Sequence, residues 1–140
     1  MTVNIYIQTT AKGGRNRNVG FAYVIECKIL EQIKTVTGVG TLHDVTKNEA
    51  ERKAFLTALK RIKPGNEITL FTDSAFLGSV LETWLPLWQQ HSWKNSKGDE
   101  VNPEWQDVAN LLVKRPTKIN HEKHSYSSWL RSEAERNRPG

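Results

Sequence analysis

One stretch in the middle of the chain, from residue 46 to residue 74, reads TKNEAERKAFLTALKRIKPGNEITLFTDS. Its first half has the features of a helix start, because Thr46 or Asn48 can serve as the N-cap and acidic residues fall in the first turn. The apolar side chains that follow recur at helical spacing, at Phe55, Leu56, Leu59 and Ile62. The Pro-Gly-Asn turn at residues 64–66 ends this predicted helix.

The second half of the stretch predicts a strand followed by another helix. Residues 67–72 form a short strand between two turn signals, and Asp73 or Ser74 can cap the helix that begins there. Strands joined through a helix pair in parallel, whereas antiparallel neighbours need only a short turn. The helix–strand–helix order therefore predicts a parallel crossover onto a sheet.

The residues before this stretch predict an antiparallel meander. Residues 3–9 alternate between apolar and polar side chains, as a half-buried strand does. Residues 11–18 are rich in Gly and Asn and predict a loop, and residues 19–26 predict a second strand. Residues 28–42 predict a third strand at the edge of the sheet, and the short turns imply antiparallel pairing.

The residues after the stretch complete the expected architecture. Pro86 interrupts or kinks a tryptophan-rich helical pattern, and a further helix starts at 102–104. Residues 117–120 predict a last short strand, and residues 128–136 predict a terminal helix. This order is typical of an α/β fold with a mixed five-stranded sheet, three antiparallel strands followed by parallel ones, flanked by helices.

The composition excludes several classes of protein. The 140 residues carry a net charge of +5 and include one cysteine, Cys27. This length suits one domain over residues 1–140, and a lone cysteine excludes a disulfide scaffold or a zinc finger. No apolar run or leader pattern stands out, so we expect a cytoplasmic protein with no membrane partner. The positive charge permits a nucleic-acid partner, with a solvated basic surface as the alternative.

Three acidic residues stand where the predicted fold could form a site. In open α/β sheets, sites form outside the carboxyl ends of strands, which here points to Asp73 and to Gln8. Glu51 lies in the first turn of its helix on the sheet-facing side, although it could serve only to complement the helix dipole. Asp73 could be only an N-cap, and Glu133 on the last helix could be only part of a surface ion pair.

Four motifs follow one another in a distinctive order along the chain. They are Tyr-Ile-Gln-Thr-Thr at 6–10, Thr-x-Asn-x-x-Glu at 46–51, Thr-Asp-Ser at 72–74, and His124 ahead of the last helix. Between them lies a tryptophan-basic stretch that contains Trp84, Trp88, Trp93, Lys94, Lys97 and Trp105. This order resembles type 1 ribonuclease H over nearly the whole chain, and the stretch resembles the basic handle of that family. The resemblance implies a ribonuclease H-like fold.

The resemblance also implies metal-dependent, endonucleolytic hydrolysis of the RNA strand of an RNA–DNA hybrid. The family holds two divalent ions, Mg²⁺ or Mn²⁺, among acidic side chains, which supply the oxygen ligands that hard cations prefer. By this resemblance the metal-binding positions are Gln8, Glu51, Asp73 and Glu133. The implied catalytic residues are Glu51, Asp73, Glu133 and His124, and the histidine assists proton transfer or product release. His121 is a nearby alternative to His124.

Two metal-binding positions depart from the family pattern. The family places an aspartate that bridges both metals where this chain has Gln8, which offers only a neutral carbonyl oxygen. The last ligand is Glu133 only if the register slips by one residue, since the strict register falls on Ala134. The segment His-Ser-Tyr-Ser-Ser-Trp at 124–129 also lacks the glycine-rich loop of common members. The chain therefore resembles a divergent branch, of the sort found in Gram-positive bacteria and mobile elements.

The tryptophan-basic stretch supplies the first candidates for contacting nucleic acid. Trp93 could pack against a sugar while Lys94 and Lys97 neutralise phosphates. Trp84 and Trp105 are better explained as anchors that hold a helical excursion against the body of the protein.

Polar residues elsewhere supply the remaining candidates. Thr46 and Asn48 could bind a phosphate at a helix N-terminus, or they could only cap that helix. The family reads an RNA strand by its 2′-hydroxyls, and by this resemblance Asn16, Asn18 and Gln8 are hydrogen-bonding partners.

Three functional hypotheses remain open at this stage. The first is a monomeric endonuclease that hydrolyses RNA in RNA–DNA hybrids. The second is a module of the same fold that binds hybrid or double-stranded RNA, with catalysis disabled by Gln8. The third is an accessory protein of a mobile element that works through protein contacts. Gln8 is the feature that separates the enzyme from the binding module.

Overall fold

A mixed five-stranded sheet forms the centre of the computed structural model, which describes residues 1–139. Its strands are β1 (Thr2–Thr9), β2 (Arg15–Ile29), β3 (Gln32–Thr46), β4 (Glu67–Phe71) and β5 (Thr117–Asn120). They lie in the order β3-β2-β1-β4-β5. The first three strands pair antiparallel, whereas β1 pairs parallel with β4 and β4 pairs parallel with β5. The predicted mixed sheet, with β3 at its edge, is confirmed.

Helices connect β3 to β4 and β4 to β5, and helices cover both faces of the sheet. They are α1 (Lys47–Leu59), α2 (Ala75–Ser79), α3 (Leu85–Gln90), α4 (Glu104–Leu112) and α5 (Ser127–Arg136), with a π-helical turn at Val80–Trp84 between α2 and α3. Within residues 1–139, none of these helices combines the length and the apolar character needed to cross a membrane.

The alternating side chains of β1 and β2 build two separate cores. On one face, Ile5 and Ile7 pack with Phe55 and Leu59 of α1, and all four are buried. On the opposite face, Tyr6, Ala22 and Val24 pack with residues Leu130 and Ala134 of α5. Because successive side chains of a strand point to opposite faces, α1 and α5 lie on opposite sides of the sheet. Both helices nevertheless pack against β1 and β2, so residues at the ends of α1 and of α5 can lie near the same edge of the sheet.

The β2–β3 hairpin is longer than the sequence predicted. The strands were expected at 19–26 and 28–42, yet they extend over Arg15–Ile29 and Gln32–Thr46. The turn consists of Leu30 and Glu31, which both have positive φ, at 48° and 70°. Such a turn usually carries Asn or Gly, so its sequence gave no sign of the turn. Part of the expected loop at 11–18 also belongs to β2, because Arg15 pairs with Thr46.

Pro86 is accommodated by a change in helix geometry just before it. A proline has no backbone N–H, and its ring clashes with the carbonyl four residues earlier in an α-helix. Here the chain widens into the π-helical turn, where the N–H of Leu85 donates to the carbonyl of Val80, five residues back. Helical structure therefore continues through Pro86 into α3, and the expected interruption becomes a local widening.

Gly20 of β2 marks the closest approach of α5 to the sheet. A Cβ atom at Gly20 would overlap the carbonyl oxygen of Ala134 and would lie 2.6 Å from the backbone nitrogen of Arg138. Both neighbours are backbone atoms, so no side-chain rotation can relieve the overlap. The position therefore requires glycine.

Gly20→Ala should lower the free energy of unfolding by about 2 kcal/mol, because α5 must move away from the sheet. Chemical denaturation followed by circular dichroism measures this change. Gly13→Ala is the matched control, since a Cβ at Gly13 meets no atom within 4 Å and its stability should hardly change. Equal stability of the two variants would contradict the close packing of α5.

Candidate active site

The parallel pairing of β1 and β4 brings two polar side chains to one edge of the sheet. Tyr6 lies opposite Phe71, the last residue of β4, and Gln8 and Asp73 follow two residues further along each chain. A small cavity of about 90 Å³ opens at this edge. Its lining residues are Ile7, Gln8, Thr9, Ala11, Lys47, Glu51, Thr72 and Asp73. We refer to this cavity as the polar pocket.

Glu51 reaches the polar pocket from α1, where it is only 6% exposed. The hydroxyl of Ser74, which also caps α2, donates a short hydrogen bond to the Glu51 carboxylate. Burial raises the pKa of Glu51, and the negative charge of Asp73 raises it further. The bond from Ser74 and the positive charge of Lys47 act in the opposite direction. The pocket therefore holds a buried carboxylate that favours a positive charge beside it.

Gln8 lies in the polar pocket with its amide nitrogen already engaged. Its Nε2 atom donates a hydrogen bond of 3.1 Å to the backbone carbonyl of Thr9. This bond uses one of the two N–H donors of the amide, and the neutral carbonyl oxygen is the acceptor that Gln8 can offer to a cation.

Lys47 is a pocket residue that none of the sequence motifs indicated. It is the first residue of α1 and lines the pocket together with Gln8, Glu51 and Asp73. Its position in the sequence, between the cap Thr46 and the acidic first turn, could have indicated this role. A lysine there places a cation at the end of the helix that carries Glu51. The pocket is therefore lined by a lysine side chain as well as by its two carboxylates.

Glu133 is not brought into the polar pocket. Its carboxylate pairs with Arg136 on the same helix at 3.4 Å, and it is absent from the lining of the pocket. Ala134, the strict-register alternative, is fully buried against the sheet. Within residues 1–139, no three His, Cys, Asp or Glu side chains gather closely enough to hold a metal ion.

His124 lies beside the pocket, in the segment between β5 and α5. Its ring packs against Tyr6, with centroids 4.6 Å apart, and its Nδ1 accepts a hydrogen bond of 3.1 Å from the backbone N–H of Tyr126. Burial lowers the pKa of His124, although the negative charges of Asp73 and Glu26 oppose this shift. The imidazole therefore favours its neutral form, and the negative charge of Asp73 affects its pKa.

The alternative histidine, His121, is tied to the backbone of the neighbouring strand. Its Nδ1 donates to the carbonyl of Thr72 at 2.8 Å, and its ring lies close to Gly78 of α2. These contacts give His121 a structural role where β4 meets α2. His124 is accordingly the better placed of the two for proton transfer.

The structure gives local roles to three of the polar residues expected to contact nucleic acid. Thr46 caps α1 by accepting from the N–H of Glu49, and its hydroxyl donates back to that side chain. Asn16 donates to the carbonyls of Lys12 and Gly14 in the loop before β2 and of Val45 in β3, and Asn18 bonds to His43 across the strands. Asn48 lies in the first turn of α1 with an exposed side chain.

A second concavity, an open groove of about 890 Å³, lies along α3 and the loop after it. Its lining residues are Trp84, Leu87, Trp88, His91, Lys94, Asn95, Ser96, Lys97, Gly98 and Asp99. We refer to it as the basic groove. Lys94 and Lys97 therefore share one surface, as their expected role requires.

Two of the three tryptophans assigned a role in this region take different places from those expected. Trp84 was expected to be an anchor, but it is 44% exposed and lines the basic groove. The π-helical turn that ends at Trp84 changes which side chains face the core, which accounts for this difference. Trp93 packs against the main core and is absent from the groove lining. Trp105 is 3% exposed and is the anchor that was expected.

Comparison with known sequences identifies relatives of the chain. A family model described as RNase H matches residues 2–125. The Ribonuclease H of Campylobacter concisus (strain 13826) is 32% identical over 115 residues, which cover 82% of this chain and 69% of that protein. The Ribonuclease H of Syntrophomonas wolfei subsp. wolfei is 37% identical over 95 residues, which cover 64% of this chain and 65% of that protein. For the Ribonuclease H of Caldicellulosiruptor saccharolyticus, the matched region is only 52% of the relative.

Solved structures share the fold at low sequence identity. LC9-RNase H1, described as a type 1 RNase H with the type 2 active-site motif, has a TM-score of 0.76 at 15% identity over 97% of this chain and 73% of its own. The foamy viral protease-reverse transcriptase, solved in complex with dsDNA, has a TM-score of 0.71 at 22% identity over 95% and 89% of the two chains. The family model, the relatives and the fold agree, and the chain belongs to the RNase H family.

Proposed function

We propose that this protein binds RNA–DNA hybrids and hydrolyses their RNA strand endonucleolytically with the help of a divalent metal ion, Mg²⁺ or Mn²⁺. The observation that carries the proposal is the meeting of Glu51 and Asp73 in one polar pocket at the ends of β1 and β4. The named relatives support it, and one structural neighbour, LC11-RNase H1, has been solved in complex with an RNA/DNA hybrid. We further propose that the protein acts as a monomeric single domain in the cytoplasm.

The donor groups of the polar pocket fit one divalent ion better than two. Hard divalent ions take oxygen ligands, and the pocket offers the carboxylates of Glu51 and Asp73 with the carbonyl oxygen of Gln8. Two carboxylates balance the charge of one dication, whereas two dications would leave an excess that the ammonium group of Lys47 increases. When bound, the ion supplies Lewis-acid polarisation of the scissile phosphate.

The other side chains in and around the pocket have separate proposed roles. Ser74 holds the carboxylate of Glu51 in place, which fixes one donor before any ligand enters. Lys47 provides positive charge beside the position of a phosphate. His124 exchanges a proton through Nε2, the ring nitrogen that is not engaged by Tyr126.

The basic groove is the proposed contact with the backbone of the nucleic acid. Lys94 and Lys97 neutralise phosphates there, and the exposed ring of Trp84 offers an apolar surface to a sugar. Trp93 instead packs against the main core, which anchors the loop that carries it. Asn48, with its exposed side chain next to the pocket residue Lys47, is the candidate for contacting the RNA strand at the site.

A second function is favoured by the same pocket. Gln8 supplies no charge, and Glu133 pairs with Arg136 outside the pocket lining, so the pocket has fewer carboxylates than the family pattern implies. A protein with this site could bind hybrid or double-stranded RNA without cleaving it. The two functions differ in whether the wild-type chain turns over.

Cleavage of an end-labelled RNA–DNA hybrid in Mg²⁺ or Mn²⁺ tests the proposed enzyme. Wild type should cut the RNA strand internally, and Asp73→Asn should reduce the rate by roughly 100-fold or more while hybrid affinity stays the same, because a charged metal ligand is lost. Asp107→Asn, on the exposed side of α4, is the matched control and should keep the wild-type rate.

The variant Gln8→Asp separates the two functions in the same assay. If the wild type is an enzyme, both proteins cleave, and Gln8→Asp is faster. Cleavage by Gln8→Asp alone would identify the wild type as a binding module. Wild-type cleavage that survives Asp73→Asn would contradict the polar pocket as the site of hydrolysis.

The groove residues should contribute affinity rather than chemistry. Replacing Lys94 and Lys97 together by alanine should weaken hybrid binding about tenfold at low salt and reduce the dependence of log Kd on log salt by up to about two units. The double variant Lys28→Ala/Lys34→Ala, on the β2–β3 hairpin, removes the same charge outside the groove. Fluorescence anisotropy measures both, and equal losses in the two variants would reject a specific role for the groove.

A further inference from the structure

A carboxylate outside the polar pocket is the centre of an ordered hydrogen-bond network. Glu26 of β2 accepts hydrogen bonds from Asn4 Nδ2 at 3.0 Å and from the Tyr6 hydroxyl at 3.0 Å. A third bond, of 2.5 Å, comes from the hydroxyl of Tyr126, at the start of α5. Two of the donors belong to β1 and the third to the segment that carries His124. Glu26 therefore ties that segment to the sheet.

The charge states within this network are well defined. Burial and the bond to Glu26 raise the pKa of Tyr6 to about 12, and the bond to Glu26 is the main reason that the pKa of Tyr126 rises to about 12. Burial alone would raise the pKa of Glu26, but the bonds from Tyr126, Asn4 and Tyr6 outweigh it and lower that pKa. At neutral pH, a charged acceptor thus faces neutral hydroxyl donors, which makes the bonds strong.

The network continues from Tyr126 to the imidazole of His124. The backbone N–H of Tyr126 donates to Nδ1 of His124, and the ring of His124 rests on Tyr6, which itself stacks on Phe71 at 4.5 Å. A backbone N–H can only donate, so Nδ1 must carry a lone pair. The proton of the neutral ring is consequently on Nε2. Asp73 and Glu26 are the charged groups whose fields act on this ring, and Tyr6 and Tyr126 are the other titratable groups against it.

A purely structural contact would not need this arrangement. An apolar side chain at position 26 would fix the start of α5 without desolvating a carboxylate. A fully bonded polar network, by contrast, selects one geometry and one tautomer. A fixed tautomer has a chemical consequence for a group whose proton is used, and His124 is the imidazole on which the charge of Asp73 acts.

We propose that Glu26 is a positioning residue. It acts through Tyr126 to hold His124 as the Nε2–H tautomer, the form that exchanges a proton in the proposed hydrolysis. This inference rests on the proposed hydrolysis of RNA–DNA hybrids. It assigns a task to three side chains, Glu26, Tyr6 and Tyr126, that the metal-binding pocket does not use.

The test combines kinetics with ¹⁵N NMR of the histidine side chains in the full chain. Tyr126→Phe, and separately Glu26→Gln, should lower kcat for hybrid cleavage about tenfold while KM stays within about twofold, because the proton donor is misplaced but the binding surfaces are intact. In wild type, the ¹⁵N shifts of His124 should report one tautomer, protonated at Nε2. In Tyr126→Phe they should report a mixture, with the pKa of His124 moving up towards its ordinary value.

Tyr23→Phe is the matched control for the loss of a buried hydroxyl. Tyr23 lies on the opposite face of β2, where its hydroxyl accepts from Arg61 at 3.0 Å. This variant should keep the wild-type kcat and the His124 tautomer. Thermal unfolding of all variants separates a misplaced histidine from a misfolded chain.

Each outcome decides between the proposals. If wild type cleaves and Tyr126→Phe cleaves equally fast, or its His124 keeps a single tautomer, the positioning role is overturned and the proposed hydrolysis stands. If wild type does not cleave any hybrid, the hydrolysis is overturned and the positioning role of Glu26 falls with it. A loss of kcat in Tyr23→Phe as large as in Tyr126→Phe would also overturn the positioning role.

Discussion

The parallel pairing of β1 with β4 is the constraint on which the site depends. This register places the ends of both strands at one edge, so that Gln8 and Asp73 meet although 64 residues separate them. The crossover through α1 delivers Glu51 to the same edge from the other face of the sheet. Ser74 then joins the two elements, because it caps α2 and donates to Glu51 at the same time. A change in the β1–β4 register would separate all of these groups.

The charges at this edge explain how the chain differs from its family's pattern. Gln8 removes a negative charge, Lys47 adds a positive one, and Glu133 is directed to Arg136. Each of these features lowers the capacity of the pocket for a second dication, and together they are the reason that we propose a one-ion site. The raised pKa of Glu51 fits the same picture, because burial and Asp73 make its charge costly until a cation binds.

Much of the fold could be predicted from the sequence, because its signals are local. The cap at Thr46, the apolar spacing of α1 and the strand at 117–120 all follow from periodicity and turn residues. The β2–β3 turn could not be predicted, since Leu30 and Glu31 adopt positive φ only because the paired strands impose it. The exposure of Trp84 depends on a π-helical turn, which has no sequence signature.

The candidate site could be predicted only in part, because some of its residues are defined by three-dimensional contacts and by no sequence motif. The resemblance supplied Glu51, Asp73 and His124, which do lie at or beside one pocket, but it could not reveal Lys47 or Glu26, whose proposed roles depend on three-dimensional contacts.

The polar pocket is proposed to be a site for a single divalent ion. Counting bound Mn²⁺ by electron paramagnetic resonance tests it most directly. The account predicts one ion per wild-type chain and none in Asp73→Asn, whereas two ions of similar affinity, or binding unchanged by Asp73→Asn, would contradict it.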